Sequence, residues 1–92
     1  MIAARYTKLA AIGNIKDSDG MLHWLIITNS HSSNVRDVHL NDATSGAGSE
    51  VMKIKVKPDS TLPLYFDPPI PFATGIRIGT MGGDVQLTGG YS

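Results

Sequence analysis

The sequence predicts an all-β fold: a small antiparallel β-sandwich, jelly-roll-like, with an extended N-terminal arm. Three observations carry this. Apolar residues recur at every second position in short runs between Met21 and Thr88, turn residues separate those runs, and no stretch has helical periodicity. Val51-Met52-Lys53-Ile54-Lys55-Val56-Lys57 shows the pattern best, with Met52, Ile54 and Val56 pointing one way and the lysines the other. A strand sends successive side chains to opposite faces, so this period of two describes a sheet with one wet and one dry side.

The elements follow in chain order. Residues 1–16 read as an extended N-terminal arm or first strand, because Gly13 interrupts any helix that Leu9-Ala10-Ala11-Ile12 would favour. Asp17-Ser18-Asp19-Gly20 is a turn with Asp-Gly at its corner. Met21–Asn29 is the most buried strand. Simple alternation places Leu22, Trp24 and Ile26 on one face and Leu25 and Ile27 on the other, so it is expected to be central or covered. After the polar loop Ser30–Asn34, Val38 and Leu40 point inward against Asp37 and His39. Asp42–Ser49 is a Gly-rich loop, expected to be mobile, ahead of the lysine-alternating strand.

Pro58-Asp59 ends that strand. Leu62, Leu64 and Phe66 share the next inward face, and Pro63 marks an edge because it cannot donate to a ladder. Asp67-Pro68-Pro69-Ile70-Pro71-Phe72 reads as a stiff crossover, Gly75–Thr80 as a strand carrying Ile76 and Ile78, and Gly82-Gly83 as a hairpin closing onto Asp84–Thr88. Gly89-Gly90-Tyr91-Ser92 is a flexible tail unless docked.

The 92 residues make a single domain, 1–92. A chain this small has marginal stability without a staple, and with no cysteine the staple is neither a disulfide nor a cysteine zinc site. Oligomerisation is the remaining common device. Eight basic and eight acidic residues balance to zero, which argues against a nucleic-acid binder. No apolar run is longer than that of Trp24-Leu25-Ile26-Ile27, far short of the ~20 residues that span a bilayer. Met1-Ile2-Ala3-Ala4-Arg5 lacks the apolar stretch of a secretory signal, so synthesis and assembly in a cytosol are expected.

Chemistry is sparse. His23, His31 and His39 are eight residues apart, and a hairpin folded about His31 would set His23 opposite His39. A metal needs three or four converging ligands, so unrelated histidines are the better reading and no metal site is assigned. Asp17–Gly20 has Ile15 at the first ligand position of a calcium loop and no distal Glu at the right distance. No Ser-His-Asp context, paired carboxylates or phosphate loop is present, so no enzyme activity and no cofactor are expected. Lys53, Lys55 and Lys57 form either a contact for an acidic partner or a solvated face that discourages edge pairing, and the second reading is preferred. Trp24, Tyr65, Phe66, Phe72 and Tyr91 offer aromatic rings that could line a sugar-binding face, with Trp24 assigned to the core by its alternation with aliphatics and Tyr91 suited to an intersubunit contact.

Gly20–Asn29, Asp37–Asp42, and Pro71-Phe72-Ala73-Thr74-Gly75-Ile76-Arg77-Ile78 followed by Gly-Gly resemble the small β-sandwich virion proteins of tailed bacteriophages, of the capsid decoration (cement) type. The resemblance covers most of the chain from Gly20 onward and implies a structural protein on the capsid surface, assembled in the host cytoplasm. It further implies a homotrimer that binds the major capsid protein and stabilises the shell, with no membrane and no nucleic-acid partner. An arm that adds a strand to a neighbour would place Met1, Ile2, Arg5 and Tyr6 at the contact, with Tyr91 from the tail. The alternative is a carbohydrate-binding or host-adhesion module, which requires a surface platform of aromatic rings.

Overall fold

The computed structural model describes residues 5–46 and 48–92. Among these described residues eight strands run in the order β1 (Arg5–Leu9), β2 (Gly13–Lys16), β3 (Gly20–Asn29), β4 (Arg36–Asp42), β5 (Ser49–Val56), β6 (Ser60–Phe72), β7 (Ile76–Thr80) and β8 (Val85–Tyr91). They form two four-stranded sheets, ordered β1-β8-β3-β6 and β2-β7-β4-β5, with every neighbouring pair antiparallel. The pairs β1–β8, β2–β7, β3–β6 and β4–β5 are the rungs of one long hairpin with its tip at β4–β5. Rolling that hairpin sends alternate rungs to opposite sheets, which is the jelly-roll arrangement of a β-sandwich.

The inward faces meet in a core of Leu22, Leu25, Ile27, Val38, Leu40, Ile76, Ile78 and Val85, all fully buried. Leu62, Leu64 and Phe66 close it from β6 as their alternation predicts, and Ile54 and Val56 close it from β5. Among the described residues Asn29 is the one polar group in the set of largest fully buried side chains. Its amide donates to the carbonyls of Asn34 (2.9 Å) and Val56 (3.0 Å), and its Oδ1 accepts from the His31 N–H (2.9 Å). Those three bonds offset its desolvation and tie the end of β3 to β5 across the sandwich.

Several sequence expectations are corrected. In β3 a bulge at His23 separates Leu22, paired with Tyr91, from Trp24, paired with Gly90. One extra residue reverses the alternation, so Leu25 and Ile27 point inward with Leu22 while Trp24 and Ile26 point outward. Asp67–Phe72 is no crossover; it continues β6, where Ile70, Pro71 and Phe72 pair with the start of β3. Gly82-Gly83 closes no hairpin, because β7 and β8 lie in different sheets and the turn bends the chain from one to the other.

At the two ends the structure selects between the alternatives the sequence left open. Of the expected arm, residues 1–4 lie outside the described residues; Arg5–Leu9 is the first strand, paired to β8, and Gly13–Lys16 is the second. The Gly89–Ser92 tail is docked. Gly89 and Gly90 are buried in β8 between β1 and β3. Met21 and Ser92 exchange two backbone hydrogen bonds of 3.0 Å, and Ser92 Oγ bonds His23 Nε2 at 2.8 Å.

Candidate functional site

The outer face of the β1-β8-β3-β6 sheet holds a row built by strand register. Tyr6 pairs with Gly90, Gly90 with Trp24, and Trp24 with Tyr65. At about 4.8 Å between strands, Tyr6 and Trp24 are roughly 10 Å apart with Gly90 between them, and Tyr65 is one strand beyond. Tyr6 is 64% and Tyr65 74% exposed, while Trp24 is half-buried.

Gly90 decides how the tryptophan lies. A Cβ there would fall 2.1 Å from the indole Nε1, 2.2 Å from Cε2 and 2.7 Å from Cζ2. These distances put it over the face of the ring, so the indole lies down on the bare backbone of β8 and turns its other face outward. Only glycine permits that approach. On the opposite side of the same strand, Gly89 admits Ile15 and Leu25, since a Cβ there would stand 2.7 Å from Ile15 Cδ1. The Gly-Gly pair thus gives β8 a close-packed inner face and a flat aromatic outer one.

One residue pair further along the strands, Lys8, Thr88, Ile26 and Pro63 form the next outward row, and Gln86, Thr28 and Thr61 the one after. Between them lies an open depression of about 340 Å³, lined by Lys8, Ala10, Ile26, Thr28, Gln86 and Thr88. The hydroxyls of Thr28 and Thr61 are hydrogen-bonded at 3.0 Å beside it. Lys8 is the only charged side chain in that lining; the rest are short hydroxyls, an amide and aliphatic carbon.

The other sequence candidates are dispersed. His23 lies in β3 and His39 in β4, in different sheets, so they are not cross-strand neighbours as a hairpin about His31 would make them. His31 Nδ1 accepts from the N–H groups of Ser33 (3.1 Å) and Asn34 (2.9 Å), which organises its own loop. His39 Nδ1 is 3.3 Å from Glu50. Among the described residues no group of three His, Cys, Asp or Glu side chains is placed to hold a metal ion. Of the lysine row, Lys53 and Lys55 are exposed on β5 and Lys57 just beyond its end, with Lys55 3.3 Å from Asp37 and Lys53 3.9 Å from Glu50. Neighbouring carboxylates therefore offset much of its field.

Two carboxylates hold loops. Asp42 accepts from the N–H groups of Thr74 (2.8 Å), Ala73 (3.1 Å) and Gly75 (3.3 Å), and these bonds, Thr74 first, hold its pKa below the usual carboxylate range. Asp84 is likewise lowered by its two-pronged bond to Arg36, at 3.0 and 3.1 Å.

Of the expected partner contacts, Met1 and Ile2 lie outside the described residues. Arg5 and Tyr6 are exposed on β1, whereas Tyr91 is half-buried and packed against the core. Of the expected aromatic face, Phe72 is buried and Phe66 packs against the core, so only Trp24 and Tyr65 reach the surface row. Tyr6 completes that row although the sequence pattern did not assign it there. The available signal was Gly90: a glycine inside a strand marks a place where another group approaches closely.

A scan against protein-family models finds no match, and searches of curated proteins and of solved structures find no significant match either.

Proposed function

We propose that this chain is a structural virion protein of the capsid-decoration type, which binds the major capsid protein as an oligomer, a trimer by its resemblance, and stabilises the shell. The observation that carries the reading is the state of the four sheet edges. β6 carries Pro63, Pro68, Pro69 and Pro71, which cannot donate to an added strand, and β5 presents Lys53 and Lys55. β2 has only four residues and an irregular register. Among the described residues β1 pairs with β8 alone, and it has neither proline nor a lysine row, so it is the edge suited to strand addition by a neighbour. Several weak seats per oligomer would then give firm attachment to a repeating lattice.

The test is sedimentation of the full chain with purified shells of the encoding phage, with light scattering for solution mass. The expected outcome is a trimer that co-sediments, with binding weakened in Arg5→Glu, an exposed β1 substitution that leaves the core alone. A strict monomer that stays in the supernatant refutes the reading. The aromatic row favours a second reading, host adhesion, which uses the sheet face and not the edge.

A further inference from the structure

The geometry points to a saccharide-binding site on the outer face of the β1-β8-β3-β6 sheet: pyranose rings stack on Trp24 between Tyr6 and Tyr65, and their hydroxyls reach into the adjoining depression. The inference stands independently of shell binding, since it uses the sheet face while decoration uses the β1 edge.

Three features select this ligand class. The first is the attitude of the indole. Trp24 lies across Gly90 with one face on the backbone and the other turned outward. A ring held flat is a stacking platform already ordered before binding, so little side-chain entropy remains to be lost. A protein hot spot typically seats an aromatic anchor in a pocket, and this ring projects into none. The C–H face of a pyranose matches a flat aromatic surface, apolar at its centre with polar groups around its rim.

The second is what surrounds the platform. Tyr6 and Tyr65 flank it in the same register row, each with a phenolic hydroxyl that donates and accepts. Along the strands the depression offers Lys8, Thr28, Gln86 and Thr88 around an Ile26 floor. Hydroxyls and amides that both donate and accept suit a ligand made of hydroxyl groups. The step from the Trp24 row to the Ile26 row is about 7 Å along the strand, room for one ring on the platform and a second in the depression.

The third is charge. Single-stranded nucleic acid also stacks on aromatic rings but needs a positive groove along its backbone. Here Lys8 is the lone cation of the depression, and Lys53 and Lys55 belong to the other sheet. A saccharide needs no such field.

The experiment uses the full chain and its single tryptophan. A glycan array of neutral and acidic pyranose oligosaccharides identifies the ligand, and titration of Trp24 fluorescence with the best disaccharide or trisaccharide measures affinity. Binding is expected in the millimolar range or tighter, with a change in indole emission. Tyr65→Ala and Tyr6→Ala, whose exposure leaves the fold intact, are expected to weaken it about tenfold each, as loss of one stacking contact would. Trp24→Ala is expected to abolish it, measured by calorimetry and with circular dichroism confirming the fold. Lys53→Ala on the other sheet is expected to leave affinity unchanged. Four results would each overturn the inference: no oligosaccharide bound at millimolar concentration, affinity unchanged in Tyr6→Ala and Tyr65→Ala, single-stranded nucleic acid bound in preference to every glycan, or shell binding that needs Trp24 and Tyr65 while no glycan binds.

Discussion

Ile26 and Ile27 are adjacent, chemically identical and on opposite sides of one sheet, so they measure the consequence of the β3 bulge directly. Ile27 is 0% exposed in the core and Ile26 is 36% exposed on the outer face. Truncation to alanine removes three carbons, about 2.4 kcal/mol of transfer free energy at ~0.8 per carbon when the site is fully buried. Ile27→Ala also leaves an enclosed void, which at ~24 cal/mol per Å³ adds about 1–2 kcal/mol before relaxation. The expected cost is therefore about 3.5–4.5 kcal/mol. At Ile26 roughly two-thirds of the side chain is covered, and solvent fills the space it leaves, so Ile26→Ala should cost about 1.5 kcal/mol. The difference, about 2–3 kcal/mol, is well beyond the error of urea denaturation, read as a shift in midpoint at constant slope. In a domain of this size Ile27→Ala should lower Tm by roughly 15–35 °C. An Ile26→Ala penalty equal to or larger than that of Ile27→Ala would refute the bulge and restore simple alternation through the strand.

Further outcomes can be measured alongside. Gly90→Ala puts a methyl group into the face of the Trp24 indole, so it should cost about 1–3 kcal/mol and shift the tryptophan emission; an unchanged spectrum and melting curve would contradict the packing. Asp42 has its pKa lowered in the fold, so its stabilisation is full above the unfolded value of about 4 and is lost as pH falls through the lower folded value. Urea midpoints of Asp42→Asn and the unsubstituted chain should therefore differ by a constant amount near neutrality and converge on acidification, and divergence at low pH would be the wrong sign. Lys53→Ala with Lys55→Ala should change stability by less than about 1 kcal/mol, since both ion pairs are exposed, and a larger loss in thermal melts would show the row to be structural.

Much of the fold was legible in local pattern. The inward sets Val38/Leu40, Ile54/Val56, Leu62/Leu64/Phe66 and Ile76/Ile78 all follow from alternation, because each strand there has an unbroken period of two. Pro63 announced an edge strand for the same local reason: a missing N–H cannot complete a ladder on both sides. The errors sit where distant chain segments decide. Trp24 was assigned to the core because nothing local announces the extra residue at His23. The Gly82-Gly83 turn resembled a hairpin because a tight turn does not record which sheet receives the next strand. The Asp67–Phe72 stretch looked like a crossover because its prolines suit an edge strand as well as a stiff link, and only pairing with the start of β3 distinguishes them.

The sequence alone determined strand content, the inward face of most strands, the edge character of β6 and a wet lysine face on β5, since each depends on residues within a few positions of one another. The tertiary structure alone decided the rolled strand order, the reversal at His23 and the assembly of Tyr6, Trp24 and Tyr65 over Gly90. Those three side chains and that glycine come from four strands spread across most of the chain. Their meeting is set by register between strands, and register is fixed by packing of the whole sandwich.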